Sequence, residues 1–201
     1  MAVSSVSPYC DLHRKRVERF GHPDGRALSP KRDFGVELEL ISAFLTKHRE
    51  HEGAVAALRW LQRWLDAASM GEEIAGRTEM QRLQLHGAQP LQILTVAAAL
   101  FLLSRWRPKT LPDDDRLTWQ IGYQVCCLAP RNRRYSVSRG KGRMVSMTIG
   151  KVPRREIGRR IRFNLSALLV NISEAIIAED AEQKKFQSAI RRPFSTEAKP
   201  I

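Results

Sequence analysis

The stretch QPLQILTVAAALFLLSRWRP, residues 89–108, decides what kind of chain this is. Its apolar run from Leu91 to Leu103 falls well short of the ~20 residues that cross a hydrocarbon layer, and it contains Gln92 and Thr95. A helix apolar on nearly every side but too short to span must be surrounded by other protein segments. Pro90 suits a first helical turn, where its missing N–H costs nothing, and Pro108 closes the helix soon after Trp106. The stretch therefore reads as a central core helix.

The flanks supply helices to pack on it. Val36, Leu40, Ile41, Phe44 and Leu45 lie on one helical face, and Gly53 marks a break before a second helix with Ala54, Leu58, Leu61 and Leu65, beside Trp60 and Trp64 one turn apart. A third, poorly periodic helix is expected between Glu72 and Leu85, where Gly76 costs about 1 kcal/mol relative to Ala. After the core helix, Pro112 and the triplet Asp113, Asp114 and Asp115 precede Leu117, Ile121, Val125 and Leu128, and Pro130 ends the segment. An aspartate at a helix start accepts hydrogen bonds from orphan N–H groups and complements the helix dipole, so the triplet reads as a cap rather than a metal site.

The expected fold is mainly α: a helical bundle of about five to six helices with a basic β-hairpin or loop before a long C-terminal helix. Residues 1–34, with Pro8, Gly21, Pro23, Gly25 and Pro30 among basic residues, read as an irregular basic arm. The helical core occupies 35–130, a basic hairpin and amphipathic helix packed on the core occupy 131–183, and 184–201 reads as a fraying basic tail.

Charge is the most informative feature. The chain of 201 residues has 34 Lys and Arg against 21 Asp and Glu, a net charge of +13. Twelve of those cations fall between 131 and 162: Arg131, Arg133, Arg134, Arg139, Lys141, Arg143, Lys151, Arg154, Arg155, Arg159, Arg160 and Arg162, against the single acid Glu156. A run this dense repels itself and calls for solvent or a counter-charged partner. Ten of the twelve are arginine, whose planar fork binds phosphate bidentately and stacks on bases. These twelve residues are the expected nucleic-acid site, with DNA the first choice and RNA, in a ribonucleoprotein subunit, close behind. Tyr135 and Val137 alternate with serines, Arg139-Gly140-Lys141-Gly142 makes a flexible loop, and Val145, Met147 and Ile149 alternate again. A ribbon of this kind fits the major groove of DNA.

The region after the ribbon resembles two DNA-binding patterns. Ile157, Gly158, Ile161, Phe163 and Leu168 fall where helix-turn-helix sequences place their packing residues, although Arg162 stands where the turn commonly has glycine. The strand Val145 to Ile149, a short helix, a break at Phe163-Asn164 and a longer helix are similar to the ribbon-helix-helix pattern, which would imply dimerisation and place Ser146 and Thr148 toward the groove. The competing reading is one continuous amphipathic helix carrying Ile157, Ile161, Leu165, Leu168, Ile172 and Ile176, with its arginine-rich first turns exposed. We favour it, because neither glycine nor proline interrupts 159–180. Its apolar stripe would dock on the helical body, on a protein partner or on a second copy.

Other function classes receive little support. His48 and His51, with Glu50 and Glu52, lack metalloprotease spacing, and Glu37 and Glu39 cannot share a helical face. No phosphate loop, nucleophile elbow or dinucleotide fingerprint occurs, so the chain is expected to be non-enzymatic, without cofactor or metal. Cys10, Cys126 and Cys127 cannot build a disulfide framework, which points to a reducing compartment, and the adjacent pair Cys126 and Cys127, set in the apolar run Ile121 to Leu128, reads as buried free thiols. The expected location is cytoplasmic, or nucleoid-associated for a DNA binder, with no membrane contact. The rival class is an interaction or inhibitor protein whose basic segment binds an acidic protein surface.

Overall fold

Helix α6 (Pro90–Trp106) stands at the centre, with positions 93–94, 96–100 and 102–103 all buried. The polar residues of its first half serve the helix itself: Gln92 Oε1 accepts from the Gln89 N–H at 2.9 Å, and the Thr95 hydroxyl donates to the Leu91 carbonyl at 2.8 Å. The computed structural model describes residues 10–20, 25–72, 76–130, 133–138, 141–146 and 151–190, without the side chains of 18–20, 133–138, 141–146, 151 and 183–190.

Around α6 pack α3 (Gly35–Lys47), α4 (Glu52–Ser69), α7 (Asp114–Cys126) and α8 (Lys151–Ile190), while α5 (Arg77–Leu85) lies on α4 and touches α7. With α1 (Asp11–Phe20) and α2 (Pro30–Asp33) this makes eight helices among the described residues, not five to six. The protein is mainly helical. Residues 133–138 (β1) and 141–146 (β2) run antiparallel, with Arg133 opposite Ser146 and Ser138 opposite Lys141.

Several boundaries differ from expectation for local reasons. The break between α3 and α4 falls at 48–51 rather than at Gly53, because His51 caps α4 by accepting from the Gly53 N–H through Nδ1 at 3.2 Å. Gly76 is not inside a helix but at the start of α5 with φ +72°, a left-handed conformation that glycine adopts without strain. The backbone of α8 continues to Ile190, through residues expected to fray.

The segment expected to be an irregular arm is in large part structured. Leu28 and Phe34 are buried, and Gln120 and Gln124 of α7 hold the backbone around Leu28. Gln120 accepts from the Leu28 N–H and donates to the Arg26 carbonyl, and Gln124 donates to the Leu28 carbonyl. Asp33 fastens the same segment, receiving two hydrogen bonds from Arg26 at 2.6 and 2.7 Å and one from the Ser29 N–H at 2.7 Å. The Arg26 guanidinium is the chief reason that the Asp33 carboxyl lies well below the usual carboxylate range.

Helix α8 runs unbroken from 151 to 190, so neither the helix-turn-helix turn nor the break at Phe163-Asn164 is present. Its stretch from 152 to 182 is long and apolar enough to cross a membrane, yet one face of it is core: Ile157, Ile161, Leu165, Leu169, Ile172 and Ile176 are all buried against the body. Leu169, not Leu168, completes that stripe.

Candidate nucleic-acid interface

The basic segment is joined to the body through α7 and α8, which cross in backbone contact. The crossing is made by Gly122 and Gly158: a Cβ on Gly122 would lie 1.7 Å from the Arg154 carbonyl oxygen, and one on Gly158 would lie 1.9 Å from that of Thr118. Only hydrogen fits at either position. This approach brings side chains on one face of the first α8 turns onto α7, while Val152, Arg155 and Arg159 remain exposed.

Arg154 shows the consequence. It is 6% exposed, with its guanidinium carbon 5.3 Å from the Trp119 ring and 5.6 Å from the Tyr123 ring. Those rings stack on each other 14° from parallel at 5.0 Å. Arg162 also turns inward. It donates to the Asp114 carbonyl at 2.8 Å and to the Thr118 hydroxyl at 2.7 Å, and it pairs with the Asp114 carboxylate at 2.8 Å. Arg155 reaches Asp115 at 3.2 Å, and Arg160 lies 5.3 Å from the Trp64 ring. Arg159 pairs with Glu156 at 3.0 Å and is half-exposed.

The expectation that these turns stay exposed is thus corrected for Arg154 and Arg162. Cations near a helix start oppose its dipole. Here Asp115, at the favourable N-terminal end of α7, answers Arg155, and the π faces of Trp119 and Tyr123 answer Arg154. The aspartate triplet is therefore divided: Asp113 caps α7, accepting from the Arg116 N–H at 2.7 Å, while Asp114 and Asp115 bind arginines of α8.

The other expected site residues are only partly placed. Arg131 and Arg139 lie outside the described residues. The backbones of Arg133, Arg134, Lys141 and Arg143 belong to β1 and β2, and that of Lys151 begins α8, but their side chains lie outside the described residues.

Sequence reasoning missed Arg82, which fixes where the segment leaves the body. Buried at 6% exposure, it donates to the carbonyls of Cys126, Ala129 and Pro130 at 2.6 to 2.8 Å and pairs with Glu79 at 2.7 Å. It satisfies acceptors at the C-terminal end of α7, immediately before 131. An arginine in a poorly periodic helix gives no sequence sign of such a role.

Elsewhere, His48 and His51 border a cavity of about 260 Å³ between α3, α4 and α8, lined also by Phe44, Leu168 and Ile172. His48 ends α3 with its ring 4.4 Å from Phe44. Of the adjacent cysteines, Cys126 is buried, and burial is the chief cause pushing its thiol up to about 12, whereas Cys127 is exposed, against expectation; Cys10 is exposed as well. No family model matches the chain, and no curated protein or solved structure matches it either.

Proposed function

We propose that the chain is a non-enzymatic nucleic-acid-binding protein, DNA being the favoured target. The grip lies in 131–151, carried by Arg131, Arg133, Arg134, Arg139, Lys141, Arg143 and Lys151, and extended by Arg155 and Arg159. Arg154 and Arg162 act through α8, holding it on α7, rather than through phosphate.

One observation carries this reading: the charge is partitioned. The helical core, 35–130, has ten basic and eleven acidic residues and is close to neutral, whereas 131–151 has seven cations and no acid. A solubilising excess would be spread over the surface. A charge concentrated in a ribbon-like segment beside a neutral body suits a polyanion, and the arginine bias suits phosphate.

The test is binding of the nuclease-treated protein to labelled duplex DNA, single-stranded DNA and RNA across a salt series. Tight binding that weakens steeply with salt is expected, with a slope of about 0.9 per phosphate neutralised on duplex. Absence of binding to all three at low salt overturns the reading and turns attention to an acidic protein surface.

A further inference from the structure

Among the described side chains of α8 there is one large aromatic that folding does not use. Phe163 is 85% exposed, the most exposed of the large hydrophobic side chains among the described residues. It points directly away from the buried stripe of Ile157, Ile161 and Leu165. Its helical neighbours one turn back are Arg159 and Arg160, three or four residues away and hence beside it on the surface.

A lone exposed apolar residue is ordinary on a protein surface. What sets Phe163 apart is its company. Residues 152–162 contain five arginines and one acid, and Glu156 is the sole acid between 116 and 173. An aromatic face beside the exposed Arg159 and the partly exposed Arg160 matches what single-stranded nucleic acid requires: a base stacks on the ring while an adjoining phosphate meets a guanidinium group. In a duplex the base faces are already stacked on one another.

Resting on the nucleic-acid reading above, we infer that Phe163 is a base-stacking residue, with Arg159 as its phosphate partner, and that this face of α8 takes single strands in preference to duplex. The pair Arg159–Glu156 is a surface salt bridge, with side chains 55% and 37% exposed, and such pairs are weak enough for a phosphate to displace. A lipid surface is the poorer fit. The large exposed apolar side chains of α8 among the described residues are Val152 and Phe163, three turns apart with Glu156 and Arg159 between them, and only the small Ala167 and the partly buried Val170 follow on that face, too little apolar width for burial among acyl chains.

The experiment compares full-length wild type with Phe163→Ala, Phe163→Leu, Phe163→Trp and Glu156→Gln. The probes are a labelled mixed-sequence single strand and the duplex of the same sequence. Circular dichroism verifies that each variant is folded, as an exposed position on a helix should allow. Expected is a loss of about tenfold in single-strand affinity for Phe163→Ala and Phe163→Leu, from the ~1–3 kcal/mol of one base–aromatic stack. Trp should retain the affinity, Glu156→Gln should raise it, and duplex affinity should not respond to the changes at position 163. Wild-type single-strand binding in Phe163→Ala, or in Phe163→Leu, removes base stacking while leaving the broader reading intact. Base stacking is likewise overturned if Phe163→Ala instead abolishes self-association in sedimentation, which would assign the face to a second copy. A wild type that binds no nucleic acid overturns both readings at once.

Discussion

At the scale of single residues, the fold depends on polar groups placed where they substitute for missing backbone partners. Asp33 is the first case: it replaces the partners that an extended segment outside any helix would otherwise lack. The folded state keeps Asp33 ionised to lower pH than its ordinary value of 3.8, so the unfolded chain takes up the proton first. The staple therefore contributes fully above that value, and its contribution is lost as pH falls through the folded pKa. Urea midpoints measured from pH 6 downward should fall on acidification, and Asp33→Asn should be less stable at pH 6 with a flatter acid limb. An unchanged acid limb in the variant would mean that other carboxylates dominate. Arg82 is the second case. Arg82→Met keeps the stem but leaves three carbonyls without their donor and Glu79 without its cation, and should cost about 3 kcal/mol in urea unfolding. Arg82→Lys should recover only part, since one ammonium cannot reproduce a planar fork. Neither role is legible in sequence; the carbonyls that Arg82 meets, for example, come from positions 126 to 130.

At the scale of elements, legibility followed periodicity. The core helix at 90–106, the helices around Ile41, Leu61 and Ile121, and the uninterrupted α8 all have apolar spacing that survives without knowledge of neighbours. The short α2, with four residues, and α1, whose residues are mostly polar, have no such stripe, and prolines and glycines nearby pointed to irregular chain instead. The α7–α8 crossing was also hidden, because two glycines in separate helices look like two weaknesses until the helices are superposed. Their value can be measured. Glycine to alanine inside a helix normally gains about 1 kcal/mol in propensity. At Gly122 or Gly158 the new methyl would meet backbone rather than a movable side chain, so the helices must part and the packing around Arg154 and Ile157 is lost. Gly122→Ala and Gly158→Ala should each destabilise by about 2 kcal/mol or more net of propensity. Gly53→Ala, whose nearest neighbours at 3.3–3.4 Å are the His51 ring and a Leu168 methyl, should change stability by less than about 0.5 kcal/mol. Equal effects at all three positions would deny the crossing its special geometry.

At the scale of the whole molecule, the arrangement of charge separates a binding protein from a merely basic one. The sequence displayed the concentration in 131–162, but it could not show that Arg154 and Arg162 turn onto α7, since their partners Trp119, Tyr123 and Asp114 lie in a different helix, across the whole of the ribbon segment. The charge left for the proposed grip is consequently smaller and more local than the composition suggests. Two charge-matched variants test this partition. One replaces the exposed body cations Arg49, Arg59, Arg63 and Lys109 by glutamine; the other replaces Arg133, Arg134, Arg139 and Arg143. Both bring the net charge from +13 to +9. Long-range attraction depends mainly on total charge and weakens with screening, so both variants should lose a similar part of the association rate at low salt. A direct grip on phosphate depends on position. The hairpin variant should therefore show a salt slope on duplex DNA smaller by up to about 0.9 for each phosphate no longer neutralised, while the body variant keeps the wild-type slope. Equal slopes in the two variants would mean that binding follows net charge alone, and that the ribbon has no privileged place in it.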